Sequence, residues 1–480
     1  MRLLLGMRFI YNGTFAGLFL LQLSPVFAAV ELPWLDGSSI EGPAGIGAKQ
    51  LAEEMASGDQ RYIGNDKILS AIKCPDLFGL VLKAVNHHPT VLTAAQTIAQ
   101  QEGQIGVAEA GYYPQVSAGI NSGHLSSFGH SNVATLSVSQ MLYDFGKVGG
   151  KVTQAKGGLQ KQRALFLKQV DLISQQTAEA FIAVHRYQIL RQIAAEQVEA
   201  VKSVLETAKL RANSGLSSQS DPVQARTRVE SAQASLYQTE SLLAQWRDRL
   251  QLLTGASLPE KVADVPSSLE DLVSFNTPIN YGLLPDVLIA ESDRQVALGS
   301  LENAKAQRYP TFALEGSLNQ ALSGANPSNG ERRGSYNTLS LSSSVLLYQG
   351  GGISAQIHSA NSAILAAEST VNQARLAAEN QMLNAREQVL GARKRLSILR
   401  LRMATMQETL ALYKEQYSVG TRSVLDLLNA EQEVHQAAAD QESARHDLWS
   451  GLVSYIAAAG KNRDAYKLNG SSIHGIEILQ

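Results

Sequence analysis

An internal duplication is the feature that most restricts the folds available to this 480-residue chain. The segments HPTVLTAAQ…AGYYPQVSAG and LPDVLIAES…AQRYPTFALEG each hold two prolines 25 residues apart, and they lie at an offset of 196. Other residues match at an offset of 205: Leu142-Tyr143 with Leu347-Tyr348, and Gly215, Asp221 and Ala225 with Gly420, Asp426 and Ala430. The two offsets differ because of one polar stretch between Gly316 and Leu341, as expected for a loop insertion in a repeated architecture.

Both copies predict the same order of elements: a helix, two strands, a very long helix and a shorter return helix. No proline occurs between Pro114 and Pro222 or after Pro327, and the Ala, Gln and Leu content is typical of coiled coils. We therefore predict a mainly α fold with a small β part, with long helices of about 95 Å. The expected helices are Leu77–Gly111, Lys151–Asn213 and Asp221–Thr254 in the first copy, and Pro285–Arg308, Ile353–Tyr417 and Val424–Gly460 in the second.

Apolar and small polar residues alternate in the expected strands. The apolar positions are Val116, Ala118, Ile120, Leu136, Val138 and Leu142 in the first copy, and Phe312, Leu314, Leu318, Leu339, Leu341, Val345 and Leu347 in the second. This period of two is typical of membrane strands around a wet lumen, and it predicts that Leu341 faces lipid and Ser342 the lumen. A soluble hairpin packed on a core shows the same alternation, so the strands alone leave both interpretations open.

Four strands are too few to cross a membrane as a single chain. Membrane strands must form a closed ring, since unpaired backbone groups are costly in hydrocarbon, and the smallest such barrels have eight strands. If the strands are in a membrane, the chain must therefore be an oligomer.

Local composition predicts a signal peptide and the boundaries of the segments outside the repeats. Residues 1–28 predict a secretory signal peptide, since the apolar stretch Phe15–Leu23 precedes the cleavage pattern Val26-Phe27-Ala28, and a membrane anchor is the alternative. The next residue is Ala29, so no cysteine is offered for lipid attachment. The other expected boundaries are 29–76 for an N-terminal segment, which the resemblance described below implies is periplasmic, 77–255 for the first repeat, 256–284 for a linker, 285–460 for the second repeat and 461–480 for a C-terminal tail.

The repeated strand starts GYYPQVSAG and RYPTFALEG, the turn SQMLYDFGK and above all LYKEQYSVGTRSVLDLLNAEQEVHQAAAD resemble the TolC family of outer-membrane channel proteins. The resemblance covers nearly the whole mature chain. It implies a homotrimer in the outer membrane of a Gram-negative bacterium, with a twelve-strand β-barrel and a periplasmic α-barrel of coiled-coil hairpins. It also implies an export duct that works with a periplasmic adaptor (membrane fusion protein) and an inner-membrane ABC transporter or proton-driven pump.

The resemblance also implies that the functional residues lie at the two turns that follow the long helices. The periplasmic gate would comprise Ser220, Asp221, Tyr417, Arg422, Asp426 and Asn429, with Asn429 in place of an acidic residue. The adaptor-docking tips would be Gly215, Leu216, Gly420 and Thr421. Taken alone, the glycines are typical of helix C-termini, and Asp221 and Asp426 are typical of helix N-termini. For the two aspartates both interpretations stay open.

Enzymatic, metal-binding and nucleic-acid-binding functions are not indicated. A formal charge of −2 offers no basic surface for nucleic acid, and the single Cys74 excludes multi-cysteine metal sites. The stretch Ser70–Lys73 fits S-x-x-K without its companion motifs, and Gly45–Lys49 lacks the spacing of a P-loop. The pair His87-His88 is interpreted as a helix-cap region. We therefore predict no enzymatic activity, no cofactor and no metal site.

Two classes of function follow. The leading one is an outer-membrane export duct for type I protein secretion, a role that one channel can share with small-molecule efflux. Secretion is favoured over a dedicated multidrug efflux duct because no lipid-bearing cysteine follows the signal peptide. The alternative is a periplasmic coiled-coil scaffold without a channel.

Overall fold

A computed structural model describes residues 76–125, 129–271, 273, 275, 278–326, 330 and 332–478. The expected signal peptide, the N-terminal segment up to residue 75 with Cys74, and the stretches Gly45–Lys49 and Ser70–Lys73 lie outside the described residues.

The first repeat contains four helices and one strand hairpin. These elements are α1 Leu77–His87, α2 Pro89–Glu109, β1 Gln115–Leu125, β2 Gly129–Tyr143, α3 Lys147–Asn213 and α4 Ser220–Thr254. The second repeat shows the same order of strands and long helices. After the short helix α5 Ser268–Asp271, it comprises α6 Pro285–Ala306, β3 Thr311–Ala325, β4 Arg332–Ser344, α7 Gly352–Ser418 and α8 Val424–Ala458. The chain then continues through α9 Asn462–Ala465, β5 Ser472–Ile473 and β6 Ile476–Glu477.

The helix expected over Leu77–Gly111 is interrupted, so that prediction was wrong at one residue. His88 adopts an extended conformation between α1 and α2, because Pro89 has no N–H to donate and suits the first position of a new helix. The Nδ1 atom of His88 accepts a hydrogen bond from the N–H of Thr90 at 3.4 Å. The interpretation of His88 as a helix cap is confirmed.

The two long helices have equal lengths of 67 residues, which corresponds to about 100 Å. The first begins four residues before the expected position, because Asp144 holds the chain just ahead of it. The carboxylate of Asp144 accepts hydrogen bonds from Val148 N at 2.6 Å and from Gly146 N at 2.9 Å. A side chain that satisfies the free N–H groups of a first turn stabilises the start of a helix.

The four long strands form one antiparallel sheet in the order β1-β2-β3-β4, so β2 and β3 join the two repeats. One face is polar, and its side chains are hydrogen-bonded between strands, as in Thr135 Oγ1 to Asn319 Oδ1 at 2.8 Å and Ser342 Oγ to Glu315 Oε1 at 2.9 Å. The other face exposes apolar side chains such as Ile120 and Leu341. Within the four strands the predicted alternation is confirmed, but β4 ends at Ser344, so Val345 and Leu347, which were expected to continue it, lie beyond the strand.

Each long helix is packed along its length by shorter ones. Helix α3 contacts α2 and α6 in the half next to the sheet, and α4 and α8 in the other half. Glycines allow α3 and α6 to touch: a Cβ atom at Gly150 would lie 2.5 Å from Asn303 N, and one at Gly299 would lie 2.5 Å from Gln154 N. Any larger residue at these two positions would force the helices apart.

The largest apolar core lies at mid-length of α3. There Phe166 and Phe181 pack with Leu80, Leu250 and the buried Tyr466 of the C-terminal segment. The segment after α8 is thus fixed against the first repeat. Among the described helices, none has a stretch long and apolar enough to cross a membrane.

Candidate functional site

The candidate site is built on the two turns at the far ends of α3 and α7. Gly215 and Gly420 adopt left-handed conformations with φ of 70° and 81°, which glycine tolerates best. Just beyond each glycine the backbone N–H turns back onto the helix, from Leu216 to Arg211 O at 2.9 Å and from Thr421 to Gln416 O at 3.0 Å. Both turns therefore have the helix-ending geometry that the sequence predicts at these glycines.

The two aspartates occupy the first turns of the return helices. The hydroxyl of Ser423 accepts from the N–H of Asp426 at 3.2 Å and donates to its carboxylate at 3.0 Å. In the first repeat the N–H of Asp221 donates to Ser218 O at 3.1 Å, and the hydroxyl of Ser220 donates to Ser218 Oγ at 2.9 Å. Asp426 thus takes part in a local helix-start network, which agrees with the capping interpretation of this residue.

Arg422 packs against its own turn. Its Nε atom donates to Gln416 Oε1 at 2.9 Å, its Nη1 atom lies 3.8 Å from Asp426 Oδ2, and its guanidinium group lies 4.2 Å from the centre of the Tyr413 ring. Within the described part of this chain, these contacts take the place of the expected link to Ser220 and Asp221. The reason is local, since Gln416 and Tyr413 lie on the last turns of α7 and are reached first.

Tyr417 is buried between the two repeats, and its hydroxyl has no hydrogen-bond partner among the described residues. Burial raises the pKa of this hydroxyl, the charge of Arg211 lowers it, and the charge of Asp221 raises it. Among the described residues the Tyr417 hydroxyl therefore makes no hydrogen bond to Asp221, and the ring of Tyr417 carries the contact with the first repeat.

The residue that reaches Tyr417 from the first repeat is Arg211, which the sequence reasoning did not identify. Its Nη1 atom donates to Tyr417 O at 3.2 Å and to Ser418 O at 3.3 Å, and its guanidinium carbon lies 5.0 Å from the centre of the Tyr417 ring. Comparison of the two copies does not identify Arg211, because the residue that corresponds to it at the offset of 205 is Gln416. A basic residue in the last turn of a long helix was the available signal.

Asn429 has a partner that also escaped the sequence reasoning. Arg228 of α4 donates through Nη2 to Asn429 Oδ1 at 3.0 Å and through Nη1 to Gln432 Oε1 at 2.8 Å. The asparagine in place of the expected acid therefore accepts a hydrogen bond that crosses between the repeats.

Beneath the turns, an ion pair of a buried glutamate with an exposed lysine and an apolar cluster connect the helices. Glu431 is 2% exposed, and one of its oxygens lies 2.8 Å from Lys414 Nζ while the other lies 3.8 Å from His435 Nε2. Burial lowers the pKa of His435, and Glu431 opposes that change. The apolar cluster consists of Val201, Val204, Leu205, Ala208, Ala225, Val229, Tyr417, Val424, Leu427 and Leu428. The tip above it is exposed at Leu216 and Val419.

In the part of the chain that the structure describes, no group of three or more His, Cys, Asp or Glu side chains is placed to hold a metal ion.

Comparison with known proteins identifies the family. A family model described as "Outer membrane efflux protein" matches residues 80–256 and 284–461. Outer membrane protein TolC of Escherichia coli (strain K12) is 22% identical over 374 residues, which cover 74% of this chain and 73% of that protein. Outer membrane efflux protein BepC of Brucella suis biovar 1 (strain 1330) is 23% identical over 394 residues, which cover 80% of this chain and 85% of that protein.

The fold agrees with solved structures. The crystal structure of the Campylobacter jejuni CmeC outer membrane channel matches with a TM-score of 0.69 at 16% identity, covering 80% of this chain and 86% of that one. The family model spans both repeats, well over half of the chain. The chain therefore belongs to the TolC-like outer membrane efflux protein family and is an outer-membrane channel protein of a Gram-negative bacterium rather than an enzyme.

Proposed function

We propose that three copies of this chain form a closed twelve-strand barrel above a helical tunnel. The observation that carries the proposal is the four-stranded sheet, which in the described residues ends at β1 and β4 and exposes one apolar face. Unpaired backbone groups cost several kcal/mol each in hydrocarbon, so both outer edges need partners. Because the four strands alternate in direction, β4 of one copy would meet β1 of the next in an antiparallel pair.

The assembly would serve as the exit duct of a tripartite export system. Helices α3 and α7, about 100 Å long, would carry the turns far from the sheet and into the periplasm. A periplasmic adaptor would dock at the tips formed by Gly215, Leu216, Gly420 and Thr421, where the exposed side chain of Leu216 offers an apolar contact. An inner-membrane ABC transporter or proton-driven pump would supply the cargo.

The cargo class has two candidates. Type I protein secretion is favoured by Ala29, which follows the expected cleavage site and leaves no cysteine for lipid attachment. Small-molecule efflux is favoured by the names of the matching family and of BepC. Deletion of the gene separates them: loss of an exported protein from the medium supports secretion, and raised sensitivity to antibiotics and dyes supports efflux.

The closed end of the duct would be formed by the two turns, with Ser220, Asp221, Tyr417, Arg422, Asp426 and Asn429 as its gate residues. The contacts of Arg211 with Tyr417 and of Arg228 with Asn429, both of which cross between the repeats, support this proposal. Since Arg422 contacts its own turn in one chain, its link to Ser220 and Asp221 would be made between neighbouring chains.

Assembly and conduction test the proposal together. We expect the detergent-extracted protein to have the mass of a trimer, to resist dissociation until heated, and to form ion-conducting pores in planar bilayers. A monomer that is released from membranes by salt would contradict the proposal and favour the periplasmic scaffold.

A further inference from the structure

We infer that Arg211 is a positioning residue of the gate, which holds the α7–α8 turn against the first repeat and thereby keeps the end of the duct narrow. The effect on the duct rests on the proposed function. The contact itself rests only on the geometry of the Arg211 side chain. Arg211 lies on the last turn of α3, and the groups that it contacts belong to the last turn of α7.

The acceptors of Arg211 are carbonyl groups at the end of α7, one of which, Tyr417 O, also accepts from the N–H of Gly420 at 3.1 Å. The last carbonyl groups of a helix have no partner within it and carry the negative end of the helix dipole. Arg211 donates to two of them, Tyr417 O at 3.2 Å and Ser418 O at 3.3 Å. A cation supplied by another helix therefore stabilises the end of α7 only while the two repeats remain in contact.

The rest of the guanidinium group is enclosed as well. Its carbon lies 5.0 Å from the centre of the Tyr417 ring, a distance at which cation–π attraction operates. Its Nη2 atom would lie 3.4 Å from a Cβ atom built at Gly420, so the group also rests against the turn itself. The Nε atom is buried without a hydrogen-bond partner among the described residues. The guanidinium group is thus held through its planar face at the Tyr417 ring and through its N–H donors. The ammonium group of lysine has neither the plane nor donors in this fixed geometry.

A second arginine strengthens the same connection. Arg228 of the first repeat reaches Asn429 and Gln432 near the start of α8, so close to the turn both helices of the α7–α8 hairpin are contacted by an arginine of the first repeat. The counterparts of the two arginines at the offset of 205 are Gln416 and Glu433, so arginine stands only in the first copy. Because of this asymmetry, the first repeat supplies the arginine donors and the α7–α8 hairpin of the second repeat supplies the acceptors.

The decisive experiment compares single-channel conductance of reconstituted wild type, Arg211→Gln, Arg211→Lys and Lys209→Gln. Lys209 is the matched control, because it lies in the same turn of α3 but pairs with Glu206 on its own helix. We expect Arg211→Gln to raise the conductance about twofold or more, Arg211→Lys to raise it less, and Lys209→Gln to leave it unchanged. Equal conductance of Arg211→Gln and Lys209→Gln would overturn the inference.

Hydrogen exchange measured by mass spectrometry supplies a readout that does not depend on conduction. In Arg211→Gln we expect faster exchange in residues 412–428 and unchanged exchange in residues 165–185 of α3. Faster exchange throughout the chain would show a general loss of stability and would also overturn the inference. A wild-type protein that forms no pores would refute the proposed function instead, and the exchange data would still decide whether Arg211 holds the turn.

Discussion

The Nδ1 atom of His185 lies 2.8 Å from the Nε2 atom of His446, and this buried contact joins α3 of the first repeat to α8 of the second. The other nitrogen of His446 faces the carbonyl oxygen of Glu442 at 2.7 Å, so it carries the hydrogen. In its neutral form His446 must then accept from His185. The other nitrogen of His185 lies 3.1 Å from Asp264 Oδ1, in the segment between the repeats.

This contact predicts a loss of stability in acid. Burial lowers the pKa of His446 to about 4, with His185 and neighbouring arginines acting in the same direction and the Glu442 carbonyl opposing it. Because the unfolded chain has the higher pKa, near 6.5, it binds more protons between about pH 4 and pH 6.5, and the stabilisation is lost as the pH falls through that window. We expect wild type to lose about 1–3 kcal/mol there relative to His446→Gln.

The measurement is the thermal midpoint of the detergent-solubilised protein between pH 4.5 and pH 7.5. His358→Gln is the control, since His358 is exposed on α7. Parallel pH profiles for wild type and His446→Gln would contradict this prediction.

The ion pair between Asp171 and Arg463 predicts a substitution whose cost increases with pH. Burial raises the pKa of the Asp171 carboxyl to about 7, and Arg463, itself buried, opposes that rise. With a folded pKa above the unfolded value, the carboxyl is neutral in the folded protein at pH 5 and charged at pH 8. Arg463→Met removes the group that opposes the rise, so the pKa of Asp171 should rise further and the cost of the substitution should grow by about 1 kcal/mol between pH 5 and pH 8.

Thermal midpoints at the two pH values check this, with Lys467→Met as an exposed substitution in the same C-terminal segment. The further replacement Asp171→Leu should abolish this dependence on pH, since it removes the buried carboxyl. A cost of Arg463→Met that is the same at both pH values would mean that Asp171 does not titrate in this range.

Neighbouring residues on β4 test which face of the sheet meets lipid. Leu341 is 66% exposed on the apolar face, whereas Ser342 points to the polar face and donates to Glu315. Leu341→Arg should reduce insertion stability by about 2–4 kcal/mol if the residue lies at mid-depth. Ser342→Arg should be tolerated, since its guanidinium group would meet the carboxylate of Glu315. Denaturant titrations of protein refolded into vesicles measure both, and equal damage from the two would reverse the assignment of the faces.

Asn429 offers a way to strengthen the contact between the repeats. Asn429→Asp would give Arg228 a carboxylate partner, an exposed ion pair worth about 0–1 kcal/mol. We expect a lower pore conductance than wild type at low salt and a smaller difference at 1 M salt, because salt screens exposed charges. Gln432→Glu serves as the companion variant at the other contact of Arg228. A rise in conductance, or no change at low salt, would exclude Arg228 from the control of the gate.

The sequence predicts the elements of this fold well, for a physical reason. The alternation around Ile120 and Leu341 follows from the two-residue period of a strand, and the ends of α3 and α7 follow from glycines at positive φ. Such signals are local. The error at His88 is local too, because a proline at the first position of a helix begins that helix and ends the preceding one.

The contacts of the candidate site were less predictable. Arg211 and Arg228 contact residues more than 200 positions away in the chain, and the corresponding residues of the second copy, Gln416 and Glu433, are not arginines and so do not draw attention to them. The family resemblance identifies Tyr417 and Arg422, but which groups they touch depends on side-chain reach across the packed turns. The contacts of Arg422 with Gln416 and Tyr413 illustrate this, since nearer partners on its own helix compete with those across the turn.

The pairing of β2 with β3 has a consequence for the order of folding. It brings together residues as far apart in the chain as Thr135 and Asn319, which are 184 positions apart. A lone two-stranded hairpin is at best marginally stable in water, so β1 and β2 have no lasting sheet until the second copy has been synthesised and exported. Pairing over such a distance is also slow, because the entropy of closing the loop is lost before the contacts form. Until β3 is available to pair with β2, the β1–β2 hairpin therefore has an exposed strand edge. Periplasmic chaperones would be needed most at this stage.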